Sequence, residues 1–337
     1  MSFIKDESLR WAYCLASDFW KPICVDAKDV RIFCEMAFKY LDYNAFTHRR
    51  ISPSEIGRRL GLGEKTVRTR VKKMEREGFI RYYQAIPNLS LFGLGCVVMY
   101  GFEAADVPSK RSAIEYVGKD SRMVEAFDMI GPGFLATLAG SSQKEVQSRV
   151  DEIVGTLKLK AGIRIGDRMV RAPLSTPDRL DWRILQRLRY DAVAPAKEIA
   201  DALSITAKMA EYRIGRLLES GALFVRAVID ARRQRGLIFY GLSIIVDDIG
   251  RDRVLERVKE TFGEKLWSLF IPPKGIVVAN LFTFSPEDPE ESVMRVLGLE
   301  GVKHCSLSIF KEIVEGERPN WMDAGIERML RSFAKDG

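Results

Sequence analysis

Apolar residues recur at helical spacing three times in the N-terminal quarter of the chain. Ile32, Phe33, Met36, Ala37 and Tyr40 form one stripe. A short second stretch runs to Leu60. It opens with Ser52 and Pro53, and Glu55 follows the serine by three positions, which predicts a capping box with proline in the first turn. Gly61-Leu62-Gly63 ends it. Val67, Val71 and Met74, four and three apart, mark the buried face of a third helix, which Glu77-Gly78 stops. The period then falls to two in FIRYYQAI (79–86), which predicts a strand. Beyond Gly93 the pattern predicts a strand at 95–102, a helix at 108–119, a hairpin of 122–130 and 133–140 around Gly131-Pro132, a helix at 142–158 and a strand at 162–172.

The pattern then repeats. A shift of 143 places Glu55-Ile56 on Glu198-Ile199, Leu60 on Leu203, Lys65 on Lys208, Arg70 on Arg213, Gly78 on Gly221 and Gly93 on Gly236. DVRI (29–32) resembles DWRI (181–184) at a different offset. Strands at 239–247 and 301–312, helices at 251–261 and 287–298, and a hairpin over 265–284 around Pro272-Pro273-Lys274 complete the second copy. Helix, helix, turn, helix and wing read as a winged helix-turn-helix, and the β-α-β-β-α-β order that follows is ferredoxin-like. The expected class is α+β, with this pair of domains in tandem. Expected boundaries are an N-terminal helical extension (1–28), winged helix-turn-helix 1 (29–88), ferredoxin-like domain 1 (89–175), winged helix-turn-helix 2 (176–234), ferredoxin-like domain 2 (235–314) and a C-terminal helix (315–337).

SEIGRRLGLGEKTVRTRVKKMEREGFIRYYQAIPNLSLFG (54–93), and more loosely LDWRILQRLRYDA (180–192) with KEIADALSITAKMAEYRIGRLLESGAL (197–223), resemble the Lrp/AsnC family of transcription regulators. The family usually has one such unit per chain. The resemblance implies a cytoplasmic regulator that binds double-stranded DNA, pairs through its sheets, and takes a small effector, often an amino acid, between paired domains. The family's effector turn carries Gly-x-x-Asp. The corresponding turns here, IGPGFLA (130–136) and IPPKGIVV (271–278), lack the Asp, so no ligand residue is assigned.

Charge separates the two copies. The chain has a net charge of +7. Residues 48–83 alone hold eleven Lys/Arg against four Glu, a surplus equal to that of the whole chain. Residues 191–226 hold five basic and five acidic residues. Non-specific affinity for DNA is mostly electrostatic, and the second helix of this motif enters the major groove. DNA contact is therefore expected from Lys65, Thr66, Arg68, Thr69, Arg70, Lys72 and Lys73 on the first recognition helix, with Arg49, Arg50 and Arg81 flanking it. The second motif is expected to be structural or dimerising. With one strong reading head per chain, a homodimer is expected. The amphipathic flanks, 6–20 and 321–333, are candidates to join two chains.

Other chemistry is thinly represented. Five cysteines at 14, 24, 34, 96 and 305 show no CxxC spacing and read as reduced, buried thiols. The longest apolar runs are about half of the roughly 20 residues that a spanning helix needs, and the N-terminus does not read as a secretory signal. His48 and His304 lie in different copies without neighbouring ligands, so no metal, no cofactor and no catalysis are expected. Two other readings remain. Siroheme decarboxylase, an enzyme of haem biosynthesis, uses the same two-domain unit. A sensor whose helix-turn-helix units have lost DNA is the other.

Overall fold

The computed structural model describes residues 25–37, 52–120, 122–229, 236–247, 250–270, 275–314 and 319–334. The first motif comprises α1 (Ala27–Ala37), α2 (Pro53–Leu60), α3 (Glu64–Arg76) and wing strand β1 (Ile80–Pro87). A β-α-β-β-α-β unit follows: β2 (Cys96–Glu103), α4 (Val107–Gly118), β3 (Met123–Met129), β4 (Gly133–Gly140), α5 (Gln143–Leu157) and β5 (Lys160–Met169). The second motif comprises α6 (Arg179–Leu188), α7 (Ala196–Leu203), α8 (Ala207–Glu219) and β6 (Leu223–Ile229). The second unit comprises β7 (Ile238–Val246), α9 (Arg251–Phe262), β8 (Leu266–Phe270), β9 (Ile276–Thr283), α10 (Asp288–Leu297) and β10 (Val302–Val314). Helix α11 (Trp321–Ser332) ends the described chain.

These elements reproduce the α+β order expected from the sequence. Tyr40, Arg49, Arg50, His48, Cys14, Cys24 and the amphipathic stretch 6–20 lie outside the described residues.

Two sheets tie the copies together. The wings pair antiparallel as a ribbon, from Ile80↔Ile229 to Pro87↔Leu223. The remaining strands make one sheet in the order β5-β2-β4-β3-β10-β7-β9-β8, so β3 of the first unit pairs with β10 of the second. Alternation along each strand assigns one face of the sheet to the helices. Val98, Tyr100 and Phe102 pack with Phe134 and Ile153 in the first half, and Leu242, Ile244 and Val258 with Val277 and Leu281 in the second.

Each wing completes the other copy's motif. Ala227 of β6 packs with Phe33, Val67, Met74 and Phe79, whereas Ala85 of β1 packs with Trp182, Leu185 and Leu217. Arg226 in β6 donates to Gln84 Oε1 (2.8 Å) in β1 and pairs with Glu125 (3.0 Å) in β3, which fixes the ribbon to the sheet. All three side chains are buried, and removing one partner from such a cluster strands a charge. At the seam between the units, Asp128 pairs with Lys110 (2.6 Å) and Lys311 (2.8 Å). Burial raises the Asp128 carboxyl, but the hydrogen bonds from these two lysines outweigh it and hold the group below the usual range.

The C-terminal helix packs on its own chain. Met322 and Ile326 are buried, Trp321 Nε1 donates to the Met123 carbonyl (2.7 Å), and Arg189 pairs with Asp323 (3.0 Å). Gly325 is required at this contact, since a Cβ there would lie 2.8 Å from the Phe92 ring. The apolar residues of 321–333 are thus covered within the chain, not held out for a second one.

Candidate functional site

The first helix-turn-helix is built by its punctuation. Ser52 Oγ accepts from the Glu55 N–H (3.2 Å) and starts α2. Gly61 adopts φ 66°, the left-handed region, and ends it. Gly57 is needed because a Cβ would lie 2.4 Å from the Leu62 carbonyl oxygen, which lets the turn fold back tightly. Val67 and Met74, fully buried, set the rotation of α3.

That rotation decides which candidates face solvent. Lys65, Thr66, Arg68, Thr69 and Lys72 are exposed. Arg68 pairs with Glu64 one turn back (2.6 Å). Arg81 is also exposed, at the irregularity in the wing ladder between Ile80 and Tyr82. Lys73 is not on the open face, and neither is Arg70. Arg70 pairs with Asp29 (2.7 Å) and Asp26 (2.9 Å), and Lys73 with Asp29 (3.2 Å). The expectation that Lys73 points outward is therefore corrected: a fully buried carboxylate at the start of α1 draws it, with Arg70, toward that helix.

The clamp occurs twice. In the second copy Arg213 pairs with Asp178 and with Asp181 (3.1 Å), and Arg216 pairs with Asp181. Asp178 and Asp181 form a capping box on α6, and Asp26 and Asp29 exchange the same two backbone bonds at α1 (2.9 and 3.2 Å). Burial raises the carboxyls of Asp26 and Asp178. In Asp26 the Asp29 N–H and the Arg70 guanidinium outweigh it, and in Asp178 the Arg213 guanidinium and the Asp181 N–H do, so both groups lie below the usual carboxylate range. Reading charge alone misses these acids. The Asp-x-x-Asp shared by DAKD (26–29) and DRLD (178–181) was the available signal.

The outer faces differ. On α8 the exposed positions include Met209, Glu211 and Tyr212, and its arginines serve the clamp. The N-termini differ too. Thr206 caps α8 with its own side chain (3.1 Å to the Met209 N–H), whereas Gly63 at the start of α3 offers no side-chain cap.

Away from the helices, the sheet's opposite face lines a partly open cavity of about 500 Å³, adjoining solvent included. All eight strands contribute to its wall, including both edges, through Ile165 of β5 and Trp267 of β8. The sheet therefore curls until its two edge strands border one space. His304 lies on β10, exposed, and is not among the cavity residues. Burial raises the thiols of Cys34, Cys96 and Cys305, the last to about 11, which keeps them protonated near neutrality. Among the described residues no three His, Cys, Asp or Glu side chains cluster as metal ligands, and no helix is long and apolar enough to cross a membrane.

The profile of a winged helix-turn-helix DNA-binding family matches residues 47–81, and that of the AsnC-type helix-turn-helix domain matches 178–218. No curated protein matches the sequence. Among solved structures, the siroheme decarboxylase NirDL is similar over 91% of this chain and 98% of its own, at 13% identity and a TM-score of 0.52. NirDL in complex with an iron-uroporphyrin III analogue gives 12% identity and 0.51 over the same shares. E. coli AsnC is similar over 43% of this chain and 95% of its own, at 13% identity and a TM-score of 0.33. The expectation of a chain without catalysis is overturned by the NirDL match: an enzyme carries this architecture across nearly the whole chain. The two helix-turn-helix matches, one of AsnC type, together with the repeated order of elements, give this chain two helix-turn-helix units, and the second resembles that of the AsnC regulators.

Proposed function

We propose that the chain is a sequence-specific regulator of transcription that reads double-stranded DNA through α3. The observation that carries this reading is the exposed face of Lys65, Thr66, Arg68, Thr69 and Lys72, next to the exposed wing residue Arg81. Lys65 and Lys72 have no ion-pair partner among the described residues and can meet phosphates, while Arg68 can exchange Glu64 for the edge of a guanine. The uncapped N-terminus of α3 adds backbone N–H groups on the same side. Because α8 offers no comparable face, we place a second strong reading head in a second chain, giving a cytoplasmic homodimer on a two-fold site with half-sites about 10 base pairs, or a multiple, apart. Selection of bound DNA from a random library at two salt concentrations tests this. Enriched symmetric sites with salt-dependent affinity, and a dimer by light scattering, are the expected outcome. No enrichment at either salt overturns the reading.

The NirDL likeness favours a second reading, an enzyme acting on siroheme. Its substrate is a polycarboxylate, whereas no cationic side chain among the described residues lines the cavity. Titration with siroheme separates the two. A saturable shift in absorption followed by loss of carboxylates as carbon dioxide would establish the enzyme.

A further inference from the structure

The cavity bordered by the curled sheet has its own chemistry, separate from DNA contact. It is a partly open space of about 500 Å³, adjoining solvent included, lined mostly by apolar side chains with a few polar groups, as small-molecule sites are. Three aromatic rings wall it: Phe310 stands 5.8 Å from Phe127 and 6.5 Å from Trp267, centroid to centroid. Three neutral polar groups, Ser243, Asn280 and Ser308, all come from the second unit. Among the described residues no ionisable side chain lines the space.

The ladder registers explain why the space is open. Met99 faces Thr137 in the first unit, and Gly241 faces Asn280 at the corresponding place in the second. A methionine side chain in one half is thus matched by none in the other. A Cβ at Gly241 would lie 2.9 Å from Asn280 Oδ1 and 3.3 Å from the Phe310 ring, so the bare backbone is what seats both side chains. Asn280 Nδ2 donates to Ser268 Oγ (2.8 Å), which orients the amide and leaves Oδ1 over the glycine on the cavity side.

We propose that this cavity is a binding site for an uncharged aromatic molecule bearing a hydrogen-bond donor. Rings stack on offset or edge-on aromatic partners at such separations, and Asn280 Oδ1 with the two serine hydroxyls supplies the polar contacts. A zwitterionic amino acid or a polycarboxylate would bury charge here with nothing to pair it, at a cost of several kcal/mol. Ligand enters between β5 and β8. These edges have no ladder between them, whereas β3 and β10 close the opposite side.

Fluorescence titration of the full chain with the uncharged probe N-phenyl-1-naphthylamine tests the site without DNA. Saturable binding of one probe per chain is expected, with displacement by indole and none by leucine at the same concentration. Ser308→Leu fills the cavity and should weaken the probe more than tenfold with the unfolding midpoint kept. Ser243→Leu serves the same purpose should the first variant not fold. Unsaturable binding, binding unchanged in the folded filled variant, or displacement by leucine overturns the proposal, and each leaves the DNA-binding reading untouched.

Discussion

The two helix-turn-helix motifs share an internal frame and differ in what they present. Both hold the recognition helix to the first helix through a buried aspartate, Asp29 or Asp181, against two basic side chains one turn apart. In the first copy the clamp takes two of six basic residues of α3, and a cationic surface remains. In the second it takes two of three on α8, and Lys208 remains beside Met209 and Tyr212. Fold-maintaining charge and partner-seeking charge thus occupy neighbouring turns of one helix. Only the carboxylates across from them tell the two kinds apart.

The largest effect should come from the shared part. Asp29→Ala and Asp181→Ala each remove the buried carboxylate shared by two part-exposed cations, and chemical denaturation should show a loss of about 2–3 kcal/mol in both. A loss confined to one copy would break the equivalence of the frames. Next comes the differing part. The triple replacement of Lys65, Arg68 and Lys72 by Ala should weaken DNA binding about a hundredfold and flatten its salt dependence by about two phosphates. Lys208→Ala should change affinity less than about threefold, since a lone surface charge contributes little. Equal losses would mean that both heads read DNA.

The turns sharpen the comparison further. Gly57→Ala pushes a Cβ into a backbone carbonyl and should cost about 1–3 kcal/mol. Ala200, its counterpart, already carries that Cβ, so Ala200→Gly should cost only about 0.5–1 kcal/mol by thermal melting. The smallest effect concerns acid. Asp26 and Asp178 have lowered carboxyl pKa values, so their contribution is present above the unfolded value of about 3.9 and fades as pH falls through the folded one. Asp26→Asn and Asp178→Asn should each lower stability modestly near neutrality and converge with the parent protein as both carboxyls become protonated in acid, as followed by circular dichroism. Both carboxylates are about half-exposed, which keeps the difference small. A difference that grows toward low pH would contradict the assignment.

Element order was legible where a helix carries its own cap, stop and apolar spacing, as α2 and α3 together do. Ser52, Gly61 and the spacing of Val67 and Met74 define the first motif without help from the rest of the chain. Pairing across the copies was not legible in residue detail. Ala85 and Ala227 read as ordinary alternating strand positions, and nothing local shows that each covers the other copy's helices. The recognition-helix candidates were read from charge, and of these Lys65, Arg68 and Lys72 are exposed. Arg70 and Lys73 went astray because their partners lie 41 to 44 residues away in sequence. The cavity had no sequence signal at all, since it arises where a glycine in one strand meets a methionine in its counterpart.

The wing ribbon has a consequence for how this protein can vary. Its ladder pairs each copy's strand with the equivalent strand of the other, as in an assembly of two identical chains. In such an assembly any substitution is made twice, once in each copy. Arg226 could then be answered only by residues that every copy also carries. Within one chain, position 83 and its counterpart, position 226, are coded separately, and so are Met99 and Gly241. A substitution on one side can be tolerated while its counterpart stays. One copy can lose the surface of a reading head, and one wall of the cavity can become polar, without the other following.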